Sequence, residues 1–150
     1  MRRLRRETSP GYLVNHAARL FSYTLSVRLS PHGVSPGQFP VLLMLWEQNG
    51  LTQTELARRL TIEQPTMANT LNRMERDRLI RRVPDAGDGR RAIVRLTKKG
   101  QSLEPVLTGA AREVNALALS PLSGDERLAL ISMLVRINAA LMAEVEGESE

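Results

Sequence analysis

Within LTQTELARRLTIEQPTMANTLNRMERDRLIRR, residues 51–82, the chain issues two helix-start signals nine residues apart. Thr52-Gln53-Thr54-Glu55 fits a capping box, in which the threonine hydroxyl and the glutamate carboxylate each accept a backbone N–H that the helix cannot satisfy internally. Thr61-Ile62-Glu63-Gln64 fits a second, and Pro65 is tolerated in the first turn that follows. The first helix therefore ends near Leu60. Helices shorter than about 12–15 residues are marginal in water by themselves. Two such pieces joined by a few residues hold only by packing on each other, which is the helix-turn-helix arrangement. Leu56, Leu60, Ile62, Met67, Leu71 and Met74 supply the apolar faces for it.

The second of these helices, spanning about 63–78, is informative on its outer side. With Met67, Leu71 and Met74 turned inward, Pro65, Asn69, Asn72, Arg73 and Arg76 project outward, and Gln64 and Thr66 occupy the exposed first turn. Gln, Asn, Thr and Arg are the side chains that pair with base edges and phosphates in a major groove. A solvated polar face is the plain alternative, and for a helix taken at random the commoner one. Two features favour the groove. The outward face has no acid beyond Glu63 at its start, and the second helix of a helix-turn-helix is where readout is expected.

Past Leu79 the period changes from helical to alternating. Ile80–Pro84 and Arg91–Thr97 read as two strands, with Ala92, Val94 and Leu96 on one face and Arg91 and Arg95 on the other. Asp85–Arg90 connects them, so the segment is a wing, with 84–91 the part that faces a minor groove and 84–90 its tip. Arginine in a narrow minor groove gains from the concentrated negative potential there. Arg90 is the expected tip residue, and Arg91 or Arg95 the expected phosphate contacts. Asp88 reads here as an ordinary turn aspartate.

Charge agrees with this placement. Residues 1–100 carry 18 Lys/Arg against 8 Asp/Glu, a balance of +10, whereas residues 101–150 carry 3 against 8, a balance of −5. Such asymmetry is the footprint of a nucleic-acid partner, with lipid headgroups a weaker alternative. Arg2, Arg3, Arg5 and Arg6 read either as an arm along a DNA backbone or as a solubilising start. The chain has no cysteine, which excludes disulfides, thiolate zinc sites and thiol redox sensing. With two histidines a histidine-rich metal site is not expected. No Gly-rich phosphate loop, paired carboxylates or Ser-His-Asp set fits the layout, so neither an enzyme nor a cofactor is expected. No signal peptide is read at the start, and no stretch is read as approaching the roughly 18 apolar residues of a membrane span. A cytoplasmic protein without a membrane partner is expected.

The flanks read as helices with too much apolar surface for one chain. In residues 11–30, Leu13, Ala17, Leu20, Thr24 and Val27 form one band and Ala18, Phe21, Leu25 and Leu29 a second. SPHGVSPGQ is a linker, and a helix from about Pro36 to Glu47 carries Phe39, Leu42, Leu43 and Trp46 before Asn49-Gly50 stops it. From Leu96-Thr97 a long helix repeats Leu103, Leu107, Ala110, Val114 and Leu117, with Pro105 kinking or locally breaking it. Ser123-Gly124-Asp125-Glu126 is a third capping box, starting a last helix to about Val145 whose apolar residues cover half its cylinder. A half-buried cylinder needs two partners. The prediction is a homodimer entwined through its termini, with Leu13, Leu20, Leu107, Val114, Leu117, Leu134 and Leu141 at the interface. A last helix central to a monomer core is the alternative.

The order of these elements resembles the MarR family of bacterial transcription regulators. The residues carry the resemblance too. The stretch 51–82 followed by DAGDGRRAIVRLTKKG, and then LSGDE, is similar to the family signature over about residues 11–145, with IEQPT closest to the SlyA-like branch. The resemblance implies a mainly α fold with a small β-hairpin wing: one MarR-type domain over 1–150, with dimerisation helices at 11–32 and 98–146 and a DNA-binding lobe at 36–97. It implies a dimeric repressor on a pseudo-palindromic double-stranded DNA operator, released by a small anionic aromatic effector. By position it implies DNA contacts from Gln64, Pro65, Thr66, Asn69, Asn72, Arg73, Asp88, Arg90, Arg91 and Arg95, with Asp88 holding Arg90 or a neighbouring arginine in place. His16 and Tyr23, with Trp46 nearby, face the region where family ligands bind; a lone histidine at a core edge is the plainer reading. A winged helix used for protein or RNA contact is the competing function.

Overall fold

The computed structural model describes residues 2–149, and its contacts divide into two compact units, Met1–Val114 and Asn115–Glu150. In the first unit, helix α1 (Pro10–Leu29) is capped by Ser9, whose Oγ accepts the Tyr12 N–H at 3.4 Å. Only its C-terminal end enters the core: Leu29 is fully buried and Leu25 packs beside it, while Leu13, Leu20 and Val27 are exposed. Helix α2 (Phe39–Glu47) follows. It starts at Phe39 rather than the expected Pro36, because Gln38 folds residues 35–38 into a turn, its Oε1 accepting the Ser35 N–H at 3.1 Å.

Helices α3 (Gln53–Leu60) and α4 (Gln64–Arg76) form the helix-turn-helix. The first capping box is present: Thr52 Oγ1 accepts the Glu55 N–H at 3.2 Å and Glu55 Oε2 accepts the Thr52 N–H at 3.3 Å. The second is not. Thr61 is instead the left-handed residue that closes α3 (φ 52°), and Glu63 stands at the α4 N-cap without a side-chain cap bond. The Ile62 N–H reaches Ala57 O and the Thr61 N–H reaches Arg58 O, a Schellman closure. The same closure ends α4, with Arg78 left-handed (φ 63°), Leu79 N–H on Met74 O and Arg78 N–H on Glu75 O. That is why α4 stops at Arg76 and not near residue 78. Met67, Leu71 and Met74 are fully buried, as their spacing requires.

The wing is a three-stranded antiparallel sheet ordered β1-β3-β2, from β1 (Leu51–Thr52), β2 (Ile80–Pro84) and β3 (Ala92–Leu96). The return strand is shorter than the expected 91–97. Its core face is Val94 and Leu96, opposite Arg82 and Ile80 respectively, while Ala92 is exposed. Helix α5 (Lys98–Ser102) and helix α6 (Glu104–Leu119) replace one long helix, the break falling at Leu103 just before Pro105. Within the first unit, Leu107 and Val114 are buried in the chain's own packing. They are therefore not free for a partner, which corrects their place in the expected interface.

The second unit holds the end of α6 and helix α7 (Gly124–Glu148), whose capping box at Ser123 and Glu126 is formed. No α7 residue is buried; Leu134, Leu141 and, before it, Leu117 are exposed. Contrary to the sequence expectation, α7 has the length and composition of a membrane-crossing helix, with a mean hydropathy of 1.7. Arg136 lies at its middle, where a charge costs about 2.5–3.5 kcal/mol in a bilayer.

Candidate nucleic-acid interface

The outer face of α4 presents Gln64, Pro65, Thr66, Asn69, Asn72 and Arg73 to solvent, all exposed. Burying Met67, Leu71 and Met74 fixes this face, since residues three and four apart share a side of the helix. Two of the six side chains, Gln64 and Asn72, are already engaged within the chain. Gln64 Oε1 accepts from Gln53 Nε2 at 3.2 Å, linking the exposed ends of the two helices. Thr66 O accepts from the Thr70 hydroxyl at 3.0 Å, a bond within the helix that does not use the Thr66 side chain. Asn72 Oδ1 accepts from Arg82 Nη1 on the wing at 2.9 Å. Arg73 has no acidic partner among the described residues.

The wing tip is built around two aspartates. Asp85 Oδ1 accepts the Gly87 N–H at 2.9 Å, and the Asp85 N–H donates to Arg91 O at 2.9 Å, closing the loop at its base. Asp88 Oδ1 accepts from the Arg90 backbone N–H at 3.1 Å and from Arg90 Nε at 3.3 Å. Arg90 thus stays 93% exposed while its inner nitrogen is anchored. Asp88 serves both readings: it shapes the turn and orients an arginine, and that arginine is Arg90. Arg91 turns the other way and pairs with Glu55 of α3, Nη2 to Oε1 at 3.5 Å. Arg95 lies over the Asn49-Gly50 turn, where Gly50 (φ +88°) has no Cβ to meet the guanidinium. Asn49 Oδ1 accepts the Leu96 N–H at 2.9 Å, fixing that turn to β3.

Helix and wing enclose a cleft of about 680 Å³ lined by Gln53, Asn72, Arg82, Arg90 and Arg91 among others. Gln53, Glu55 and Arg82 were not singled out from sequence as part of this surface. For Arg82 a signal existed. It sits opposite Val94 on the core-facing side of the hairpin, a position that alternation reserves for an apolar residue. Its side chain is 24% exposed, and Glu75 of α4 contacts it at 3.7 Å while accepting the Arg82 N–H at 3.2 Å.

The residues considered for a small ligand are engaged in separate contacts. His16 packs on Tyr12 with ring centroids 6.1 Å apart, and Tyr23 is exposed. Trp46 packs edge-on against Phe39, its indole N–H donating to Gly100 O at 3.0 Å. Among the described residues no group of His, Cys, Asp and Glu has the arrangement of a metal site.

A short polar-faced helix packed behind another, beside a basic hairpin whose tip arginine is held outward, defines a winged helix-turn-helix DNA-binding protein. The MarR family model matches residues 32–91. The HTH-type transcriptional regulator TtmR of Methylorubrum extorquens is 32% identical over 139 residues, 93% of this chain and 70% of that protein. The chain belongs to the MarR family and is a transcriptional regulator, not an enzyme. Among solved structures, the S. aureus MepR–DNA complex is 28% identical with a TM-score of 0.80, over 88% of this chain and 98% of that one. The PcaV regulator of Streptomyces coelicolor, solved with its natural ligand, is 28% identical with a TM-score of 0.81, over 94% and 99% of the two chains.

Proposed function

We propose that the protein is a cytoplasmic, ligand-responsive repressor that binds a pseudo-palindromic operator as a homodimer, with α4 in the major groove and Arg90 in the adjacent minor groove. The observation that carries this reading is the cleft joining Asn72 of α4 to Arg90 of the wing, which aligns a base-reading face with an outward arginine. MepR, a relative of the same fold, was solved bound to DNA. The exposed leucines of α1 and α7, Leu13, Leu20, Leu134 and Leu141 with Leu117, support a second copy as the cover for these faces. Burying each side chain stabilises by about 1.5–3 kcal/mol. Two recognition helices related by a two-fold axis then meet half-sites roughly 10 base pairs apart. Gln64, Pro65, Thr66, Asn69, Asn72 and Arg73 contact the major groove; Asp88 positions Arg90, Arg95 serves the phosphates, and Arg91 is held back from them by its pair with Glu55.

PcaV, solved with its natural ligand, supports an effector for this chain too. His16 and Tyr23 offer an imidazole and a phenol to an anionic aromatic acid, whereas Trp46 offers only a ring face because its N–H is spent on Gly100 O. The test is a gel shift on duplex DNA from upstream of the gene against random duplex and RNA, repeated with salicylate-like acids, beside sedimentation of the free protein. Selective retention of the upstream duplex by a dimer supports the reading. Equal retention of all three, or a monomer, contradicts it.

A further inference from the structure

Arg82 departs from the pattern around it. It occupies a core-facing register position, is three-quarters shielded, and spends its guanidinium on α4. Its backbone N–H and its side chain both meet Glu75, whose charge offsets its own, and Nη1 donates to Asn72 Oδ1 at 2.9 Å. Asn72 is otherwise exposed on the base-reading face.

An asparagine amide offers one acceptor and two N–H donors, and its usual pairing uses both kinds at once: Oδ1 accepts from adenine N6 while Nδ2 donates to N7. Here a cation already holds the oxygen, and charge-assisted bonds are the strong ones. The bond also orients the amide plane, turning the oxygen toward the wing and leaving the Nδ2 hydrogens as the groups presented to a base. Pairing with adenine has to share that oxygen with a guanidinium; donating to an acceptor does not.

We propose that Arg82 is a positioning residue that sets the base preference of Asn72, making it a donor-only reader of guanine O6 and N7 or thymine O4. This rests on α4 lying in the major groove and goes beyond it by assigning the chemistry of one contact and its control from the wing. Arg82 acts through Asn72, so a purely structural role would weaken all sequences alike. A positioning role changes the preferred base at one position of each half-site.

The test is a bind-and-sequence selection of the full-length protein from a random duplex library. In the wild type, the position whose preference disappears in Asn72→Ala is guanine or thymine, favoured roughly fivefold or more. Arg82→Met erases the same preference and leaves the other positions intact, and adding it to Asn72→Ala changes nothing further there. Asn72→Asp keeps the bond to Arg82 but presents an acceptor, so the preference moves to cytosine, whose N4 donates; this variant carries the test if Arg82→Met does not fold. Adenine at the Asn72 position, an unchanged preference in Arg82→Met, or no move in Asn72→Asp overturns the proposal while the operator reading stands. A wild type that enriches no sequence overturns both.

Discussion

Asp88 holds Arg90 through a single carboxylate oxygen, Oδ1, which accepts the Arg90 backbone N–H at 3.1 Å and Nε at 3.3 Å. The terminal nitrogens of Arg90 are left for a ligand, and the side chain stays exposed. Order at a loop tip is thereby supplied locally, by one residue two positions earlier.

Removing Asp88 acts on two quantities in opposite directions. Asp88→Ala deletes a negative charge beside the phosphates, which favours every DNA sequence, and frees Arg90, which weakens the geometry needed in a minor groove. An exposed pair of this kind is worth about 0.2–1 kcal/mol. The expected outcome is unchanged or tighter binding to random duplex and a specificity ratio lower by up to about fivefold. Anisotropy titrations against operator and random DNA measure both.

Glu55 has two duties, capping α3 with Oε2 and pairing with Arg91 through Oε1. Glu55→Gln separates them, because glutamine also completes a capping box. Stability should change by less than about 1 kcal/mol, while Arg91 is released to the phosphates. Operator binding becomes tighter, and the slope of log K against log salt steepens by about 0.9 if one further phosphate is neutralised.

Thr61 is a β-branched residue at φ 52°, a conformation that costs about 1–3 kcal/mol for such residues. Thr61→Gly relieves it and gives back part through the freer unfolded chain. A net gain of about 0.5–1 kcal/mol in urea denaturation is expected, followed by the fluorescence of Trp46, the single tryptophan.

These residues also mark where the sequence was legible. Strong local chemistry was readable: two capping boxes, at Thr52 and Ser123, and the buried stripe of Met67, Leu71 and Met74. The spurious box at Thr61 shows the weakness of a spacing rule. The same four residues had to end one helix before beginning the next, and the Schellman closure claimed the threonine first. Strand β1 is two residues long, too short to leave an alternation. Arg90 was readable as the tip residue, but what Arg91 meets was not. Only the fold brings up Glu55, with which Arg91 pairs.

Asp77 adds a pH dependence. The Gln38 amide donates to its Oδ2 at 3.2 Å, and together with the Arg76 and Lys99 charges it holds the carboxyl below its usual range, against the opposing effect of partial burial. A depressed folded value means that the charged form stabilises the fold above the unfolded value near 3.8, and that this is lost as pH falls through the folded value. The stability advantage of wild type over Asp77→Asn should be full near neutral pH and shrink as pH falls below about 3.8. Denaturation curves of the two proteins across that range measure it; a constant difference would contradict the assignment.

In the proposed function, a wing arginine and a recognition helix grip one DNA duplex together. Its most direct test is the affinity of wild type and Arg90→Ala for the operator across a salt series. Arg90→Ala should weaken binding by about 1–3 kcal/mol and lower the salt slope by about 1 for each wing that loses its contact. Unchanged affinity with an unchanged slope would contradict it.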